Sequence, residues 1–130
     1  MKLYTLAEAE AMLPQIRDEL LSMQASKREV DDVRSYLEHA VSTTGGNGHV
    51  RDENTLAEKR RRAEALVEDI NARLRLINDW GIELKGLDEG LIDFPSDREG
   101  RVVYLCWRLG EDAIAWWHEI EEGFPGRRPL

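Results

Sequence analysis

Apolar residues recur at threes and fours through the first two thirds of this chain and alternate in the last third. Leu13, Ile16, Leu20, Met23, Val30, Val33, Leu37 and Val41, with Lys27 interrupting, form one stripe on a helix. Thr5-Leu6-Ala7-Glu8 has the capping-box pattern: the threonine hydroxyl accepts from the Glu8 N–H, and the Glu8 carboxylate accepts from that of Thr5. Pro14 removes a donor and crowds the turn before it, which predicts a short helix over 6–12, a kink or restart, and a long helix over 14–40. Leu56, Ala63, Leu66, Ile70, Leu74 and Ile77 predict a second helix over about 55–80, with Gly81 placed to cap it. The stretch between them, 41–54, carries three glycines and few apolar residues and reads as a loop. A connection this short beside helices of roughly 40 Å predicts an antiparallel pair.

From Ile82 the period changes. Ile82-Glu83-Leu84-Lys85 alternates and predicts an edge strand. Leu91-Ile92-Asp93-Phe94 and Arg101–Leu109 are rich in β-branched and aromatic residues, and with Pro95–Gly100 as the turn they predict a β-hairpin. Alternation puts Val103, Leu105, Trp107 and Leu109 on one face, and Val102, Tyr104, Cys106 and Arg108 on the other. The segment 113–118 fits a third strand, favoured by its paired tryptophans, or a helix begun at Glu111-Asp112. The expected fold is α+β: a long antiparallel helical hairpin, about 5–80, on a small C-terminal antiparallel sheet, about 82–130, in a single domain over 1–130. All four tryptophans lie from Trp80 onward, so the largest buried areas fall in that part.

Composition narrows the classes of function. A formal net charge of −8 works against binding nucleic acid or anionic membranes, and the dense basic run Lys59–Arg62 reads as a solvated helix face, with Glu58–Arg62 and Arg60–Glu64 at helix-neighbour spacing. The single cysteine, Cys106, excludes an internal disulfide and suits a reducing compartment. The first residues lack the apolar stretch of a secretory signal, and no segment is long enough to span a bilayer; a cytoplasmic protein is expected. The glycines at 45, 46 and 48 lack the pattern of a phosphate-binding loop.

Gly90-Leu91-Ile92-Asp93-Phe94-Pro95, then Val103–Arg108 with Gly110-Glu111, then Trp117-His118, Gly123-Phe124 and Arg127, together resemble an uncharacterised bacterial family catalogued as domain of unknown function 2203. Tyr4-Thr5-Leu6, Glu8-Ala9 and Leu13-Pro14 resemble its opening, so the likeness spans the chain. It implies no activity.

Two constellations could carry chemistry. Cys106 and His118 are good ligands for zinc or another transition metal, with Asp93, Glu111 or Glu119 to complete the shell. No CxxC or HExxH supports this, and the plainer reading is a buried cysteine beside a hydrogen-bonded histidine. Asp93, Arg108, Glu111 and Arg127, with Trp117 and His118, could line a small-molecule site, Arg108 pairing with Asp93 or with an anion. The plainer reading is a salt bridge tying the sheet to the tail Gly123–Leu130. A third feature is the breadth of the helical stripe, widened by Leu21, Ala25, Val33, Ala40 and Val67, which suits a homodimer through the helices or another protein partner. The sequence therefore favours a protein-interaction or scaffold-like role without catalysis, no cofactor and no nucleic-acid or membrane partner; the alternative is a metal- or ligand-binding protein, or an enzyme, using Cys106 and His118 with nearby carboxylates and Arg108.

Overall fold

The capping box forms as the sequence predicts: Glu8 N–H donates to Thr5 Oγ1 (3.1 Å) and Thr5 N–H to Glu8 Oε1 (2.9 Å). It opens a helix, α1 (Leu6–Thr43), that runs unbroken through Pro14. The expected break at Pro14 does not occur. Pro14 is exposed while Leu13 and Ile16 beside it are buried, so the carbonyl it leaves without a donor lies on the solvated side and the apolar stripe holds the helix together across it. The structure, a computed structural model, describes residues 1–43 and 53–130, with side chains from 1–40 and 53–130. Most of the glycine-rich stretch expected as a loop lies outside the described residues; its first residues, to Thr43, continue α1.

The second helix, α2 (Glu53–Asp79), ends as Gly81 predicts. Gly81 has φ +77°, its N–H donates to Asn78 O (2.9 Å), and the Ile82 N–H donates to Ile77 O (3.3 Å). That is a Schellman close, which satisfies carbonyls the helix end would otherwise orphan.

The chain divides into two compact units. Met23–Ala72 holds one stretch of each helix, with Met23, Val30, Val33, Ala40 and Leu66 buried. There Arg62 does not pair along its own helix with Glu58; its guanidinium forks onto Glu29 of α1 (Nε 2.8 Å, Nη2 3.2 Å), where two parallel bonds favour the cross-helix partner. Val33 and Ala40 are buried, while Val67 is exposed.

The other unit, Met1–Ser22 with Arg73–Leu130, joins the start of α1 and the end of α2 to a five-stranded antiparallel sheet in sequence order: β1 (Glu83–Gly86), β2 (Leu91–Arg98), β3 (Arg101–Arg108), β4 (Trp116–His118) and β5 (Arg128–Pro129). The β2–β3 turn is shorter than Pro95–Gly100. Both strands run on until Arg98 faces Arg101, and the turn is Glu99-Gly100 with φ +53° and +85°. Two positive φ values in a two-residue loop give the turn whose twist matches its strands. Pro95 fits inside β2 because its backbone faces away from β3: its carbonyl accepts the Tyr4 N–H (2.7 Å), so the missing N–H costs no bond of the hairpin ladder. Of 113–118 only the last three residues form strand, so the segment is strand and not helix, over a shorter span than expected.

One sheet face carries Ile92, Phe94, Val103, Leu105 and Trp107, all buried. Tyr4 sets its ring edge-on to Phe94 (5.3 Å) and donates its hydroxyl to Trp80 O (2.5 Å), and Arg17 of α1 lies over Trp107 (5.8 Å). The alternation read from the sequence therefore holds.

Candidate metal centre

The opposite face holds the chemistry. Side chains directly across an antiparallel pair share a face, and Asp93 lies opposite Cys106, Cys106 opposite Trp116, and Tyr104 opposite His118. Asp93, Cys106 and His118 thus converge from β2, β3 and β4. A ligand atom from each lies within 4.8 Å of the others, and the three residues are 2%, 0% and 2% exposed.

Their hydrogen bonds fix where the protons are. His118 Nδ1 lies 2.7 Å from the Glu119 carbonyl, which only accepts, so Nδ1 carries a proton and donates. Nε2 faces both oxygens of Asp93 (3.0 and 3.1 Å), with one proton shared between ring and carboxyl. Burial pushes the Asp93 carboxyl up, and His118 beside it opposes that shift. Burial first, then the neighbouring Asp93, pushes the Cys106 thiol up to about 12. Cys106 gives its hydrogen bond to Asp93, not to the imidazole, so at neutral pH it is a protonated thiol and no activated nucleophile.

Around this cluster sits a polar ring. The Tyr104 hydroxyl bonds Glu83, which with burial pushes the phenol up to about 12; its ring lies 5.5 Å from that of His118, and Lys85 covers it at 5.0 Å. Lys85 also pairs with Glu83 (3.3 Å). On the other side Arg127 Nη2 donates to both oxygens of Glu111 (2.7 and 2.9 Å) and to Cys106 O (3.4 Å), with its guanidinium over Trp116 (5.1 Å) and Phe124 (4.6 Å).

Several expected members stand elsewhere. Trp117 is on the helix-facing side of the sheet, stacked with Arg98 (4.3 Å), Arg128 (5.1 Å) and Arg101 (5.8 Å), because one residue along a strand reverses the side chain. Arg108 lies opposite Leu91, not Asp93, and the Asp93 oxygens are taken by His118 and Cys106. Glu111 accepts from Arg127 and from the Arg108 N–H (2.7 Å), and the Glu119 carboxylate pairs with Arg101; neither is in the cluster. The tie between sheet and tail is Glu111–Arg127. Glu83 and Lys85 were missed as neighbours of the site; the register of β1, Glu83 opposite Asp93, brings them in, and nothing in their own wording signals it.

The cluster fits a zinc-like cation. Bonds of about 2.0–2.3 Å in a tetrahedron separate ligand atoms by roughly 3.3–3.8 Å. The Nε2–Oδ1 gap of 3.0 Å needs to open slightly, and no pair exceeds 4.8 Å. Thiol, imidazole and carboxylate match a borderline cation, and the Nδ1–H bond to a carbonyl fixes the ring with Nε2 as the ligating atom.

No curated protein and no solved structure matches the chain. The family model described as an uncharacterized conserved protein, DUF2203, matches residues 2–130, and the chain belongs to that family.

Proposed function

We propose that this protein binds a divalent transition metal, zinc first, through Asp93, Cys106 and His118. The observation that carries the reading is the convergence of three different ligand types, all buried, from three adjacent strands. Charge makes such a buried site tenable. Without metal the site holds an imidazolium beside a carboxylate, or their neutral forms, and a neutral thiol: no net charge. A divalent cation that displaces the shared proton and the thiol proton sits among a carboxylate, a thiolate and a neutral imidazole, again with no net charge. Neither state leaves an uncompensated charge in the interior. A reducing, cytoplasmic compartment suits a site that needs a free thiol.

Elemental analysis of tag-free protein purified without chelator, and of the chain reconstituted with zinc, tests the reading. About one metal per chain is expected, lost in Cys106→Ser and His118→Ala, with about two protons released per metal in calorimetry across buffers of different ionisation enthalpy. A folded wild type that takes up no metal, or variants that retain it, would overturn the proposal and leave a hydrogen-bonded structural core.

A second reading rests on a separate observation. Val30, Val33, Leu37, Ala63 and Val67 line a groove of about 480 Å³ on the helical unit, rimmed by Arg34, Glu64 and Glu68. Its apolar floor and mixed-sign rim suit a second copy of the chain, since a two-fold pairing lets Arg34 of each copy face the acidic rim of the other. Sedimentation should give a dimer that Val67→Glu converts to a folded monomer; a monomeric wild type removes this reading without touching the first.

A further inference from the structure

We propose that a second pocket on the outer sheet face, independent of the metal reading, binds a small carboxylate with an apolar body. Leu91 and Arg108 lie opposite each other, two residues along both strands from the Asp93 and Cys106 pair, and so share its face about 7 Å away. With Glu89, Phe124 and Pro125 they line a cleft of about 330 Å³. Such a volume is at the small end of ligand pockets, which run from about 300 to 1,000 Å³.

The walls are apolar. Leu91 forms the floor, and Phe124 and Pro125 belong to the 3-10 turn Phe124–Gly126 that the tail lays beside it. At the rim, the Arg108 guanidinium lies over the Phe124 ring (5.9 Å) and has no carboxylate partner among the described residues. Two nearby acids are committed elsewhere, Asp93 to His118 and Glu111 to Arg127, and the Glu89 carboxylate is turned toward Gly86, where an added Cβ would meet its Oε2 at 2.1 Å. Arg127 approaches the same Phe124 ring (4.6 Å) and carries the one buried side-chain nitrogen or oxygen without a partner among the described residues, its Nε. A planar fork beside an aromatic wall recognises a carboxylate by two parallel hydrogen bonds while the apolar part of the ligand covers Leu91 and Phe124. Glu89 at the rim disfavours a dianion, which selects a carboxylate over a phosphate.

Titration of the full chain, metal-free and metal-loaded, with phenylacetate, phenylacetamide and inorganic phosphate tests this by nitrogen-15 shifts of the Arg108 and Phe124 backbone amides. Phenylacetate should saturate in both forms, and the neutral amide and phosphate should each bind about tenfold more weakly or not at all. Arg108→Gln should weaken phenylacetate about tenfold, with Arg108→Lys in between and Glu89→Gln binding more tightly. Arg108 is exposed, so an unchanged urea midpoint will show that each Arg108 variant is folded. Absence of saturable binding, equal binding of the amide, tighter phosphate, or indifference to Arg108→Gln would overturn the proposal. Metal content, measured on the same samples, reports on the metal site alone.

Discussion

Burial and the neighbouring Asp93 hold the Cys106 thiol protonated at neutral pH, and this has a measurable pH signature. Its thiol sits at about 12 in the folded chain against about 8.5 in the unfolded one. Between those values the unfolded chain has lost the proton and the native one has not, so the native state binds more protons and stability falls as pH rises. The unfolding free energy from urea titration of the metal-free protein should drop from pH 7 to pH 10 by about 1–2 kcal/mol more than that of Cys106→Ala, which lacks this titration. Tyr104, also held near 12, titrates in both and cancels. At this scale the sequence showed which face of β3 carries Cys106. It did not show whether His118 shared that face, because seven residues separate Arg108 from Trp116 and the register of β4 follows from how they fold. The same gap put Trp117 in the site: its wording suits a ligand wall, and only the pairing of Leu105 with Trp117 turns it to the other side.

The elements were more legible than the residues because their signals are local. The capping box, the Gly81 close and the alternation of β3 each depend on a few neighbouring side chains. Where expectation failed, a more distant contact decided: the buried stripe carried α1 through Pro14, and Tyr4, ninety-odd residues upstream, donated its N–H to the Pro95 carbonyl and let β2 run on to Arg98. The start of β2 hinges on Gly90, whose φ is +66° and whose carbonyl accepts the Leu109 N–H (2.9 Å). A Cβ there would lie 2.5 Å from that of Leu109, whereas one at Gly100, φ +85°, meets nothing within 4 Å. Gly100→Ala should therefore cost about 1–2 kcal/mol of backbone strain, and Gly90→Ala about 2–4 kcal/mol as strain and overpacking add. Equal urea midpoints for the two variants would mean that the Leu109 contact carries no weight.

At the scale of the molecule, the architecture of helices and sheet follows from the change of period near Ile82, which is why the α+β class is legible from the order of residues alone. No helix among the described residues is long and apolar enough to cross a membrane. The division into units was not legible, because each helix contributes one arm to each unit and its periodicity does not change at Ser22 or Arg73, where the division falls. Strands that pair only with their sequence neighbours need little loop closure, so the meander can assemble early and fast. Tyr4 is different: its N–H reaches Pro95, its carbonyl receives the Ser96 hydroxyl (2.6 Å), and its own hydroxyl reaches Trp80. Closing that loop costs entropy which no local contact repays, so the Tyr4 staple should form after the transition state. Tyr4→Phe removes the bond to Trp80 and should destabilise by about 1–2 kcal/mol. Stopped-flow kinetics should place that loss almost wholly in unfolding, faster by about 5–30-fold with the refolding rate unchanged, whereas slower refolding would put Tyr4 in the nucleus. The N-terminal residues then act as a latch: they contribute little to how quickly the sheet is made and much to how long it lasts.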